Sequence, residues 1–308
     1  TVYGPSLTQV DERALTPLRA VYQINSQMAD VFAVILKNAP DQTCPLITQL
    51  YRSYEVDNLK AVLRGVLSGA SWDQVRYVLF PLGQHGSIPA QAMVETGNIA
   101  SAIDLLKGTP YYSTLAHAMQ RYNVEQSLFP LEVALDLNYW RTIWDEMNAL
   151  PKEDKNHALK ILGAILDMNN LMWAIRFRVY YRLSEEEIIN YTLPIGYRVR
   201  DEDIRAIAAG ADIPQVASHI YPRLPDVSVY LMEPRRGLPQ LEIQLRKQVY
   251  EECRRALIGN PFHIGVPLAF LIMKEMEVQD LTVLIEAKST QRSPDDYRPL
   301  LVLTSPPR

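Results

Sequence analysis

The sequence is poor in cysteine and glycine, with two cysteines and 13 glycines among 308 residues. Cys44 and Cys253 are isolated and lack the spacing of metal ligands, so we interpret them as reduced, buried or incidental thiols of a cytosolic protein. Neither Gly-x-Gly-x-x-Gly nor Gly-Lys-Ser/Thr occurs, so nucleotide binding has no support. Gly-x-Ser-x-Gly is missing as well. These absences predict a protein without a catalytic site, a cofactor or a bound metal.

The sequence also lacks an excess of charge and a long apolar run. Its net charge is −4, so no global basic field points to nucleic acid. The longest apolar run, Ile264–Met273, is interrupted by Gly265 and Pro267 and is too short to span a bilayer. The first residues show no signal-peptide pattern. We therefore expect neither a nucleic-acid-binding protein nor a membrane-spanning one.

What the sequence has in quantity is helical periodicity. Hydrophobic residues make up 48% of the chain, which is ample for a buried core. Alternation of the kind seen in strands is scarce, and apolar residues recur instead at intervals of three and four. One such stripe comprises Leu159, Leu162, Ile165, Leu166, Met168 and Met172. The pattern predicts an all-α protein.

Three stretches of the chain are versions of one another. Glu55–Leu59, Asp167–Leu171 and Glu277–Leu281 each run acid, aliphatic or Met, two amide or acid residues, then Leu. About 110 residues separate successive copies. A repeat of this kind predicts similar structural units that bury a common core.

Other residues recur in step with these stretches. A serine follows each acid, with an acid or amide three residues further on, as a helix-capping box requires: Ser71 and Gln74, Ser184 and Glu187, Ser293 and Asp296. Pro-aliphatic-Gly occurs twice, as Pro81-Leu82-Gly83 and Pro194-Ile195-Gly196. A tyrosine marks the start of each unit at Tyr3, Tyr111 and Tyr221. The spacing predicts helical repeats over residues 1–110, 111–220 and 221–308.

The third predicted repeat is shorter than the other two. Only 31 residues follow Glu277, about half the length that separates Glu55 from Tyr111 or Asp167 from Tyr221, the tyrosines that mark the next unit. We therefore expect this repeat to be incomplete in its C-terminal half. One hypothesis is circular closure, in which residues upstream of Thr1 complete it. An apolar groove near Leu281, Leu284 and Ile285 would then be left open.

Several segments together resemble one known family. The most specific are Asn260-Pro261-Phe262-His263-Ile264-Gly265-Val266-Pro267 and, further on, Lys274-Glu275-Met276-Glu277-Val278-Gln279-Asp280-Leu281. Tyr54–Arg64 and Ala134–Trp140 agree with them. These segments resemble the C subunits of prokaryotic V/A-type ATPases, a family that includes the d-type subunits of the vacuolar proton pump. The resemblance covers essentially the whole chain.

This resemblance implies three similar helical domains in a funnel-like, pseudo-threefold arrangement. It implies a rotor subunit without catalytic residues, peripheral to the cytoplasmic face of the membrane. Its implied partners are the central-shaft subunits of the ATPase and the membrane ring of proteolipid subunits. Torque would pass through it, and it would act on no small-molecule substrate and bind no nucleic acid. The coupling ion, proton or sodium, stays open.

Polar residues inside the repeated helices are the candidates for partner contact. The shaft would meet the lumen or rim of the funnel through Asp57, Asn58, Asn169, Asn170, Gln279 and Asp280, together with the cations Arg176 and Arg178. The competing interpretation is that the amides and acids are solvated or bond free amides of a neighbouring helix. His263 is interpreted as packing at a helix start, and Glu185–Glu187 as an acidic first turn.

Two other classes of protein stay possible at this point. One is a free-standing helical-repeat scaffold or adaptor without a rotary partner. The other is a hydrolase or lyase with a helical fold, which would need a pocket with convergent titratable groups.

Overall fold

The computed structural model describes residues 16–83 and 86–303, and these residues are all-α. No β-strand occurs within those two ranges, which confirms the predicted fold class. The chain divides into two compact units, Thr1–Glu146 and Met147–Arg308. Tyr3, the first tyrosine of the repeat pattern, lies outside the described residues.

The first unit is built around a 25-residue helix, α2 (Cys44–Ser68), about half of whose residues are buried. Leu59, Val62 and Leu63 on this helix are completely buried. The preceding helix, α1 (Pro17–Asn38), starts at the cap Thr16, whose side chain accepts from the Arg19 amide. The helices that begin in this unit are α1 Pro17–Asn38, α2 Cys44–Ser68, α3 Trp72–Val75, α4 Ala90–Glu95, α5 Ile99–Asp104, α6 Tyr112–Glu125 and α7 Phe129–Ala149.

The second unit contains three long helices that pack against one another. They are α8 Lys152–Arg176, which continues as a π-helix over Phe177–Tyr181, α13 Pro234–Ala256 and α14 Gly265–Ser289. The shorter helices are α9 Glu185–Asn190, α10 Asp201–Ala209, α11 Ile213–Ile220, α12 Ser228–Met232 and α15 Pro294–Tyr297, with a final 3₁₀ turn over Arg298–Leu300.

Short helices start where the sequence predicts them. Ser71 and Ser184 each cap a helix by a capping box, with Gln74 and Glu187 as the third helical residues. At the third position Ser293 donates to the Asp296 carboxylate over 2.8 Å, and Pro294 opens α15. Each of these short helices follows a 25-residue helix, α2, α8 or α14. The local repeat is therefore present in the backbone, while the division into three domains and their funnel arrangement stay predictions.

The apolar face near the end of α14 differs from its counterparts. Leu59 and Leu171 are fully buried, whereas Leu281, Leu284 and Ile285 are partly exposed. The third helix is thus less covered at this point than its counterparts, and the groove expected beside the shorter third repeat stays a prediction.

One helical stretch, Lys152–Tyr181, is long and apolar enough to cross a membrane by length and composition. Two thirds of its most apolar window is buried inside the protein, as in a core helix. The stretch does not stand out as a continuous apolar run because charged residues are spread along it.

Candidate functional site

A buried polar side chain on each 25-residue helix holds a chain segment that comes 22 or 23 residues later. On α2 this residue is Asn58. Its Oδ1 accepts from the Phe80 amide over 2.7 Å, and its Nδ2 donates to the Phe80 carbonyl over 2.9 Å. The side chain thus satisfies both backbone groups of one residue, as a neighbouring strand would do. The Phe80 ring stacks on Tyr54 of the same helix at 3.9 Å between ring centroids.

The residue on α8 is Asn170, which is completely buried. Its Oδ1 accepts from the Leu193 amide over 3.0 Å, and its Nδ2 donates to the carbonyls of Leu193 and Ile195 over 3.1 and 2.9 Å. Nδ2 thus donates two hydrogen bonds and Oδ1 accepts one, all with backbone groups of the segment. The arrangement therefore repeats the contact made by Asn58.

The residue on α14 is Asp280. Its carboxylate accepts from the amide of Val302 over 2.9 Å and from the amide of Leu303 over 2.8 Å. A carboxylate can only accept, so it takes two amides where the asparagines take an amide and a carbonyl. We call Asn58, Asn170 and Asp280 with their bound segments the backbone clamps.

Three residues before each clamp residue lies an acid, and two of these acids are buried by a second chain segment. Glu55 accepts from the amide of Ser87, from its hydroxyl over 2.9 Å, and from the Tyr111 hydroxyl over 2.5 Å. Asp167 accepts from the amides of Tyr197 and Arg198 over 2.7 and 2.6 Å. The third acid, Glu277, is partly exposed and pairs with Lys274 over 2.7 Å.

Burial alters the pKa of Asp167 and of two tyrosines beside these acids. It raises the pKa of Asp167 to about 6, although the backbone N–H groups of Arg198 and Tyr197 oppose the change. The repeat tyrosines lie beside these acids. Burial and the Glu55 carboxylate raise the pKa of Tyr111, and burial and the Asp167 charge raise the pKa of Tyr221. Both phenols therefore stay neutral at ordinary pH, and that of Tyr111 donates its proton to the hydrogen bond with Glu55.

The segment around Tyr197 and Arg198 can lie this close to Asp167 because two positions lack a side chain. A Cβ atom at Gly196 would collide with the Val199 carbonyl oxygen and lie 2.8 Å from Asp167 Oδ1. On α8, a Cβ atom at Gly163 would lie 2.7 Å from Tyr197 Cβ. Both distances are shorter than real contacts allow, so glycine is required on each side of this loop.

Two further candidates for partner contact belong to one internal network. Arg176 bonds Glu242 of α13, which also pairs with Arg246 over 2.7 Å. Arg246 in turn donates to Gln279 of α14. Although burial opposes it, the two guanidinium groups hold the pKa of Glu242 below its usual range. Arg176 and Gln279 thereby tie the three long helices of the second unit together.

Arg178 caps a helix, a role that the sequence did not indicate. Its guanidinium donates to the carbonyls of Ile207, Gly210 and Ala211 over 2.9, 2.9 and 2.5 Å. These carbonyls are at the C-terminal end of α10, where a cation is favoured by the helix dipole. The only signal was the spacing of the arginines, which says nothing about a partner about 30 residues away in sequence.

Of the eight sequence candidates, Asp57 and Asn169 offer the least constrained polar groups. The Asp57 side chain is 72% exposed and lies 3.6 Å from Lys60 Nζ, and Asn169 is partly exposed. Asn58, Asn170 and Asp280 have little or no surface to give a partner. They bond backbone groups of segments that are not helical, rather than the free amides of a neighbouring helix that the competing interpretation expected. Contact with a partner stays a prediction for the exposed candidates.

The remaining polar features have structural roles. His263 stacks on His157 of α8 with the ring centroids 3.5 Å apart, and burial and His157 lower the pKa of His263. Glu187 completes the capping box of α9, as expected for an acidic first turn. Within residues 16–83 and 86–303, no three His, Cys, Asp or Glu side chains are placed to hold a metal ion.

Long helices tied to later segments by buried polar side chains define an all-α protein in which the most constrained polar groups serve the fold. Over residues 1–300 the chain matches the family described as the ATP synthase (C/AC39) subunit, and it belongs to that family. This confirms the resemblance seen in the sequence.

Curated relatives agree with the family match. The chain is 23% identical to the C subunit of the A-type ATP synthase of Methanocaldococcus jannaschii, over 98% of this chain and 76% of the relative. It is 22% identical to the protein of the same name from Methanothermobacter thermautotrophicus, over 88% and 71%. With that of Haloferax volcanii the identity is 23%, over 92% and 80%.

Proposed function

We propose that this chain is the non-catalytic rotor component that joins the central shaft of a V/A-type ATPase to its membrane ring of proteolipid subunits. The observation that carries the proposal is the match of residues 1–300 to the ATP synthase (C/AC39) subunit family. The chain would lie on the cytoplasmic face of the membrane and rotate with both partners.

The internal contacts suit a body that transmits torque. Such a body must not deform between its two points of attachment, and close-packed interiors transmit strain. The backbone clamps fix three separate segments to long helices, and the network of Arg176, Glu242, Arg246 and Gln279 joins three helices by charge-assisted bonds. Polar groups used in this way stiffen the molecule instead of performing chemistry.

Assembly is the experiment that tests the proposal. A tagged chain purified from its native membranes is expected to bring with it the shaft subunits and the proteolipid ring. If polar contacts dominate at the shaft, that interaction weakens as salt rises, because charges on exposed surfaces are screened over about 10 Å at 0.1 M. Purification of the chain without either partner would instead indicate a free-standing helical scaffold.

A further inference from the structure

Two partly buried histidines meet where two long helices of the second unit begin. His157 lies in the second turn of α8, and His263 directly precedes α14. Their rings are nearly parallel, with 10° between the planes and 3.5 Å between the centroids. Gly265 opens α14 and permits this contact, since a Cβ atom there would lie 2.8 Å from His263 Nδ1 and 3.1 Å from His157 Cβ. We call the two rings the histidine stack.

The histidine stack lies where the chain that leads into α14 is joined to α8. Beside it, the Ile264 amide donates to Asp154 Oδ1 of α8 over 2.9 Å. One turn into α14, Leu268 and Ala269 are completely buried. The stack and the Asp154 bond thus fix the start of α14 to α8, whereas the rest of the helix is held by the core.

The geometry of the stack opposes a charge on both rings. Neutral imidazoles can lie face to face, but two imidazolium rings at this distance repel each other. A protonated ring also needs two acceptors, because both of its nitrogens donate. His263 Nδ1 is buried and has no hydrogen-bond partner among the described residues. The positive end of the α14 dipole lies next to His263 and disfavours a cation there as well.

The groups around the stack act on the proton of His263 in both directions. Burial and the neighbouring His157 lower the pKa of His263 below its usual value of 6.5. Asp154 and Glu153 of α8, together with the nearby backbone of Asn260, act against this change without cancelling it. A first proton on the stack is therefore compensated by the carboxylates, whereas a second meets the charge of the first.

We propose that the histidine stack is a pH-sensitive switch, which holds the start of α14 against α8 while at most one ring is charged and releases it when both are. Acidification then frees residues 257–264 from α8, while the buried remainder of α14 stays packed. Because the closed state binds the second proton more weakly than the open state does, the contact is stable above about pH 6.5 and weakens as pH falls below it. The switch belongs to the folded chain and does not depend on the proposed function.

Hydrogen exchange of the full chain, corrected for the intrinsic exchange rate at each pH, tests the switch. The peptide that contains Ile264 is expected to lose protection between about pH 7.5 and 5. The variant His157→Phe keeps an aromatic ring against His263 but cannot be charged. Protection of this peptide should fall at least about fivefold more in the parent than in the variant. The carboxylates beside the stack and Asp167 remain in the variant, so the difference between the two proteins reports the stack alone.

The second measurement follows the ring of isotope-labelled His263 by NMR. His157→Phe should raise the pH at which His263 is half protonated, because the neighbouring charge is gone. His263→Phe removes the other charge and should reduce the loss of protection as His157→Phe does. The control His219→Gln changes an exposed histidine on α11 and should match the parent in both measurements.

Two results would overturn the switch. One is an equal loss of protection at low pH in the parent and in both phenylalanine variants. The other is a half-protonation pH of His263 that His157→Phe leaves unchanged.

Discussion

A buried amide or carboxylate stabilises a fold only when its polar atoms have partners, because an unmet donor or acceptor costs about 1–3 kcal/mol. Asn58, Asn170 and Asp280 meet this condition by bonding backbone groups rather than side chains. Each of them therefore fixes the position of a segment whose own backbone would otherwise be unpaired. The stability lost when one of these side chains is removed depends on how many backbone groups then lack a partner.

Replacing Asn170 by Ala should lower the free energy of unfolding by about 2–4 kcal/mol, because the Leu193 amide and two carbonyls lose their partner in the core. Urea denaturation measures this loss. The neighbouring variant Asn169→Ala changes a partly exposed side chain and should shift stability by no more than about 0.5 kcal/mol. Equal effects of the two variants would show that the clamp contributes little.

Asp167 should give the stability a dependence on pH. Its pKa is about 6 in the folded chain against a usual value of 3.8, so the folded state binds the proton more tightly. The contribution is fully present below about pH 4 and is lost as pH rises through 6, a loss on the order of 3 kcal/mol. Unfolding followed from about pH 4 to 7 should show this fall for the parent but not for Asp167→Asn. Parallel curves for the two proteins would contradict it.

At the scale of elements, helix starts were predictable and tertiary partners were not. The serines at 71 and 184 mark helix starts because a capping box is a local interaction, complete within four residues. The partner of Asn58 lies 22 residues away and is chosen by packing, so the sequence left it open between partner contact and backbone bonding. For the same reason the capping role of Arg178 was not predictable.

The two Pro-aliphatic-Gly turns look alike in sequence but need glycine for different reasons. Gly83 has φ +57 and open space around it, whereas Gly196 lies against Asp167 and the Val199 carbonyl. Gly83→Ala should cost about 1 kcal/mol from the left-handed backbone alone. Gly196→Ala should cost more than about 2 kcal/mol, because the loop must move away from the Val199 carbonyl and the Asp167 carboxylate. Thermal unfolding compares them, and an equal or reversed order would refute the steric explanation.

At the scale of the molecule, the all-α class followed from periodicity, and the family followed from short specific segments. Domain boundaries were harder to obtain. Repeat spacing predicts three units, whereas contacts divide the chain into two at Glu146. Repeat spacing reports similarity of sequence, and contact density reports packing, so the two need not divide a chain at the same place.

The central claim is that the chain transmits torque and performs no chemistry. Membrane vesicles carrying the ATPase, depleted of this chain, are expected to hydrolyse ATP through the soluble head while pumping no ions. Addition of the purified chain should restore ATP-driven pumping, and the chain alone should turn over no ATP. Full pumping by the depleted vesicles, or ATP turnover by the purified chain, would contradict the account.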